Sequence, residues 1–183
     1  MTAASTASTR TYAIDPAHSS VHFAVRHLMI SKVRGTFDKL SGSIELPPTG
    51  NIPSAISVAI EAASINTREA QRDGHLRSAD FLEVEGYPLL TFVSTSVAAT
   101  NDTDFTVTGQ LEIHGTKQEV SLKASVTGAG KDPWGNDRVA YEGTTKINRK
   151  DFGLVWNQAL ETGGVAVGDE IEITLDVEAI PAA

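Results

Sequence analysis

Five histidines, His18, His22, His27, His75 and His114, are the side chains of this sequence with the widest chemical range. Imidazole can act as acid, base or metal ligand near neutral pH. A metal site, however, needs ligands that converge. His22 and His27 are an odd number of residues apart, so on an extended strand they point to opposite faces. His18 lies in the turn Asp15-Pro16-Ala17-His18-Ser19, and His114 stands before Gly115 at the tip of an expected hairpin. The spacing therefore predicts turn and surface histidines with no metal site. His27 is the exception, because it shares the phase of Val21, Phe23 and Val25 and so faces the interior as a hydrogen-bonded polar group. Asp73 and His75, in Arg72-Asp73-Gly74-His75, have the types and spacing of an acid–base pair. They equally suit a helix end tied down by side-chain hydrogen bonds, which is the preferred reading. Arg149, in Arg149-Lys150-Asp151-Phe152-Gly153, is expected to bind a loop rather than a ligand, and Trp156 either lines the interior or shields it. The chain carries no G-x-S-x-G elbow, H-E-x-x-H pair or phosphate-binding P-loop. It has no cysteine, which excludes thiolate nucleophiles, disulfides and Cys-based zinc sites. Its own residues make a weak case for catalysis.

The elements that must position these residues are strands almost throughout. In the last run Ile171, Ile173, Leu175 and Val177 fall on one face, and Glu170, Glu172, Thr174, Asp176 and Glu178 on the other. That period of two marks a half-buried strand. Eight such runs are predicted: Ser20–Leu28, Val33–Leu46, Ser54–Ala63, Leu89–Val97, Asp104–Ile113, a run carrying Val120 to Val126, one carrying Val139 to Ile147, and Val165–Val177. Parity switches between Phe37 and Leu40, which predicts a bulge near Asp38 to Ser41. Short connections favour an antiparallel meander, closed as a barrel or folded as a sandwich. The interruption between Thr67 and Pro88 is different in kind. Asn66 is expected to cap a helix over residues 68–79, with Glu69 completing a capping box, and Ser78 to cap a second short turn. These helices would close one end of a barrel wide enough either to fill with side chains or to hold one small ligand.

Size and charge narrow the class further. At 183 residues the chain reads as one domain over residues 11–183, preceded by a flexible tail over residues 1–10. A net charge of −8 argues against nucleic acid, whose phosphates need clustered Lys and Arg. No run approaches the roughly 20 apolar residues of a membrane-spanning helix. The Thr-, Ala- and Ser-rich start lacks an apolar h-region, which predicts a cytoplasmic protein.

Several segments together resemble the polyisoprenoid-binding, YceI-like family. They are Ile14 to Ser19 running into Val21-His22-Phe23 and Val25-Arg26-His27, Lys32 to Phe37, Ser64 to Thr67, Arg72 to Ser78, and Asp80-Phe81. Tyr87-Pro88, Thr91-Phe92, Gly109 with Leu111, His114-Gly115, Ile147-Asn148-Arg149 and Phe152-Gly153 complete the set. Leu82 stands where an aromatic often follows Phe81, and Glu112 where Thr is common. The resemblance implies an all-β, eight-stranded antiparallel lipocalin-like barrel with short helices between the third and fourth strands. It implies binding of a long isoprenoid, an isoprenoid quinone or a related amphiphilic lipid inside the barrel, without a required cofactor and often in a homodimer. The expected wall residues are Phe23, Val25, Phe37, Val58, Ile60, Phe92, Leu111 and Ile113, with His27, Arg72 and His75 as polar anchors near the cap. Two other readings stand beside this one: an enzyme acting on a lipid-like substrate at the barrel mouth, and a stress-response interaction module whose barrel is filled.

Overall fold

The computed structural model describes residues 8–183 and places them in eleven antiparallel strands, one α-helix and two 3-10 turns. The tail expected over residues 1–10 falls largely outside the described residues. The first strand, β1 (Arg10–Ile14), opens at Arg10, where the alternating pattern is too short to stand out in the sequence. It is followed by β2 (Ser20–His27), β3 (Ser31–Phe37), β4 (Leu40–Leu46), β5 (Ala55–Glu61) and the two-residue β6 (Ile65–Asn66). Next come α1 (Ala70–Arg77), β7 (Leu89–Ala99), β8 (Asp104–Ile113), β9 (Thr116–Lys131), β10 (Asp137–Asn148) and β11 (Val167–Pro181).

The hydrogen-bonded order β1-β4-β5-β7-β8-β9-β10-β11 closes on itself through β1 and β11, giving the eight-stranded barrel expected from the alternation. Three of the eight positions are built from two strand segments each. β1 and β2 share one edge of β11, β3 and β4 continue each other, and β6 prolongs β5. The predicted bulge at Asp38 is in fact a break: β3 pairs with β2 and β6, whereas β4 pairs with β1 and β5. The break between β1 and β2 follows from Pro16, which has no N–H to give the ladder. Asp15 accepts the Ala17 amide across the turn, and the Ser19 hydroxyl bonds both the carbonyl and the amide of Glu178 in place of backbone.

Asp15 also anchors the seam. Arg138 on β10 reaches Asp15 at 3.0 Å, Asp132 in the β9–β10 turn at 3.1 Å, and Glu178 on β11. One guanidinium thus ties the β1–β2 junction to β10, β11 and the β9–β10 turn. Burial works against ionisation of Asp132. Hydrogen bonds from Asn136, from backbone amides and from Arg138 outweigh it and hold its pKa down to about 2. Asp15 is also lowered, first by the His18 imidazole, with the Ala17 amide and Arg138 adding to it against burial.

Depressed carboxylate pKa values contribute stability that is complete above the unfolded value near 3.8 and is lost as pH falls through the folded one. Arg138→Gln should therefore lower the melting temperature clearly at pH 6 and less near pH 2, where Asp132 takes up its proton. Parallel melts of the two proteins across that range check this. An unchanged gap at low pH would remove the seam from the account.

Candidate functional site: an apolar lumen under a helical cap

Alternation decides what the barrel encloses. Along β2 the inward phase is Val21, Phe23 and Val25, and along β11 it is Ile171, Ile173, Leu175 and Val177. These side chains leave a cavity of about 260 Å³ that runs from Pro53, Phe105 and Tyr141 at one end to Leu76, Phe81, Leu82 and Leu154 at the other. Its surface is apolar almost throughout. All eight wall residues expected from the sequence, Phe23, Val25, Phe37, Val58, Ile60, Phe92, Leu111 and Ile113, line it. The barrel is hollow, not filled.

Glycine makes room for two phenylalanines of the wall. Gly35 lies opposite Phe23 in register, and a Cβ there would come within 2.5 Å of the Phe23 ring. Gly109 gives the same space to Phe92, whose ring would stand 2.6 Å from an added Cβ. Phe23 then packs against Phe37 with ring centroids 5.7 Å apart. Gly143 on β10 also faces the lumen, but with only ordinary contacts around the position of a missing Cβ.

The three expected polar anchors stand outside this wall. His27 ends β2 at the β2–β3 turn, paired in register with Ser31 and Val167. Arg72 donates to the Thr67 hydroxyl at 2.7 Å and to the Thr67 carbonyl at 3.0 Å. Asp73 is buried and accepts from the Thr67 amide and hydroxyl. Asp73 and His75 are therefore not partners; His75 Nε2 lies 2.8 Å from Asp80. Arg72, Asp73 and Arg77 moor α1, with Arg77 bonding the carbonyls of Ala63 and Ile65. The helix cap also differs from expectation. Glu69 is itself the N-cap and accepts from Gln71 and Arg72, while Asn66 accepts from Arg68 and donates to Asp38.

His75 stacks edge-on against Phe81 at 5.1 Å and Trp156 at 4.7 Å. This aromatic trio covers the cavity end, with Trp156 outside the wall and Phe81 on it. Arg149 holds the facing loop in place. Its guanidinium is almost fully buried and donates to the carbonyls of Leu154, Trp156, Val167 and Gly168. Burial lowers its pKa, and Asp169 at 3.5 Å opposes that shift. The remaining histidines do not converge. His22 bonds Ser20 and His114 bonds Glu83. His18, Asp15 and Glu178 form the one metal-like group among the described residues, and Arg138 already sits against both of its carboxylates.

A YceI-like domain model matches residues 12–179. The chain belongs to the YceI-like family. Among its relatives is a UPF0312 protein of Pseudomonas putida, 38% identical over 163 residues, which span 89% of this chain and 81% of that protein. The YCEI protein of Campylobacter jejuni shares 30% identity at a TM-score of 0.75, covering 86% of this chain and 90% of that one. A polyisoprenoid binding domain from Saccharophagus degradans has the same fold at 17% identity and a TM-score of 0.69, covering 93% and 98% of the two chains. In this YceI-like chain, residues of the family resemblance divide between lumen wall (Phe23, Phe37, Phe92) and cap mooring (Arg72, Asp73, Arg149).

None of the eight expected wall residues lies on β1, β4, β9, β10 or β11, although the lining residues of β9, β10 and β11 follow the same alternation. Ile14 was hidden by the brevity of β1. Arg149→Met should destabilise the protein by about 3–5 kcal/mol, because it strips the carbonyls of Leu154, Trp156, Val167 and Gly168 of their donor, while Asp169 keeps Lys150 at 3.0 Å. Urea unfolding measures the loss, and limited proteolysis should show cleavage first within residues 153–166.

Proposed function

We propose that this protein binds a long-chain isoprenoid, an isoprenoid quinone or a related single-tailed amphiphile in its lumen and catalyses no reaction on it. The apolar, hollow barrel carries the proposal. A strand rise of about 3.3 Å per residue puts Val167 and Val177 roughly 30 Å apart along β11. A barrel tilt near 40° reduces that to roughly 20–25 Å along the axis. One leaflet of a bilayer core is about 15 Å deep, so the tube suits a chain longer than an ordinary acyl tail. Its small volume favours one slender chain over two.

The energetics are sufficient without polar contacts. A tail burying about 400 Å² of apolar surface would gain on the order of 10 kcal/mol at roughly 25 cal/mol per Å². Immobilising a flexible chain offsets much of that, leaving micromolar or tighter binding. The name of the Saccharophagus degradans neighbour supports the ligand class. Against chemistry at the mouth, His75, Asp73 and Arg72 are engaged with one another's neighbours, and none of them lines the lumen.

Gly143→Leu tests the reading, because the position faces the lumen and nothing there forbids a side chain. A fluorescent farnesol probe should bind the native protein, and the variant should bind it about tenfold or more weakly, since each extra buried carbon displaces ligand. Circular dichroism and the melting temperature should be unchanged. Equal binding by both proteins would place the ligand elsewhere, and no binding by either would leave the lumen without this cargo.

A further inference from the structure

Five large apolar side chains that are exposed among the described residues gather at the capped end: Leu28, Met29, Ile30, Val155 and Val165. Ile30 is 81% exposed and Val155 63%. They form one rim. The Leu28 amide donates to Ala166 next to Val165, and Met29 packs over Gly164. Leu154 and Val167, flanking this loop, line the lumen, and Val167 pairs with His27 at the base of the hairpin. The rim therefore lies beside the end of the cavity that α1 and the aromatic trio cover.

The turn itself is unusual. Leu28 and Met29 both adopt left-handed backbone, with φ of 53° and 63°. Hairpin turns of this shape favour Asn-Gly, because ordinary side chains are strained there. Here two bulky apolar residues take the strained positions and point nothing into the core. Strain and exposed apolar area coincide at the tip.

Charge selects the partner. The protein carries a net charge of −8, yet no acidic residue stands between Asp15 and Asp38. In that stretch Arg26, Lys32 and Arg34 alternate on the outer face just behind the tip, in register with one another or with Ala24. Lys32 pairs with Glu172 at 2.7 Å, while among the described residues neither Arg26 nor Arg34 forms an ion pair. The facing loop over residues 153–166 has Glu161 as its one acid. An apolar tip followed two residues behind by Arg26 and Lys32, and four behind by Arg34, matches the layering of a bilayer, with hydrocarbon first and phosphate behind.

We infer that the rim of Leu28, Met29, Ile30, Val155 and Val165 docks on an anionic phospholipid surface, with Arg26 and Arg34 at the phosphates, so that the lumen exchanges its lipid directly with the membrane. The exchange rests on the lipid-binding reading above; the docking does not.

The experiment is flotation of the whole protein with vesicles of phosphatidylcholine containing one-third phosphatidylglycerol, alongside uptake of the farnesol probe from those vesicles and from free solution. Two variants are compared with the native chain: Ile30→Asp, and Leu28→Asn with Met29→Gly. The second fits the turn better, so its melting temperature should hold or rise. Both should lose vesicle binding about tenfold or more, as expected when apolar anchors leave an interface. Both should take up vesicle-borne probe slowly and dissolved probe normally. Arg26→Glu with Arg34→Glu should abolish the preference for phosphatidylglycerol vesicles over pure phosphatidylcholine. Vesicle binding that is absent in the native protein, or untouched by the variants, overturns the docking while dissolved-probe binding leaves the carrier reading intact. Failure to bind dissolved probe, with flotation preserved, sinks the carrier reading alone. A native dimer in sedimentation that both variants convert to monomer, without flotation, overturns the proposal in favour of contact between two copies.

Discussion

Closure of the sheet by β1 against the end of β11 is the constraint on which the rest of this structure depends. An open antiparallel sheet of this size could bury its apolar face against another layer. Once the ring closes, every inward side chain faces its counterparts across a lumen, and the interior is set by strand number and side-chain size. Eight positions bring Phe23, Phe37 and Phe92 toward the axis, and Gly35 and Gly109 let two of them lie down against the wall. The outcome is a hollow tube with a dense inner surface.

The two ends of the tube are built on opposite physics. At the seam end, Tyr12, Leu46, Val139 and Ala179 are buried and the Arg138 cluster joins strands by charge. At the other end the ladder between β3 and its neighbour stops after Thr36 and Phe37. There α1 substitutes for the missing pairing, held by side-chain bonds to Thr67, Ala63 and Ile65. Side-chain bonds of that kind break locally more easily than a strand ladder. This end of the tube thus has the less cooperative cover.

Arg149 illustrates how a buried charge serves such an end. Removing a guanidinium from water is costly unless its donors are all used. Two carbonyls of the loop after β10, Leu154 and Trp156, and two at the start of β11, Val167 and Gly168, supply that use and tie the loop to the strand.

Much of this was legible in the sequence because alternation is a local property. A period of two declares which face of a strand is apolar, so the number of barrel positions and all eight named wall residues could be read from single runs such as Val21-Phe23-Val25 and Leu111-Ile113. Polar residues carry no such signal. His27 shares the phase of the wall yet lies where the strand ends, and Arg72, Asp73 and His75 look like chemistry while their bonds go to Thr67 and Asp80. Hydrogen-bond partners are chosen by three-dimensional proximity, and the carbonyls of Ala63 and Ile65 come within reach of Arg77 only once the chain has folded back through α1. The same holds for Arg138, whose three carboxylates come from distant parts of the chain. The residues alone determined an alternating, apolar-faced sheet. Closure, which needs β1 to find β11 across nearly the whole chain, decided that this face would enclose a space.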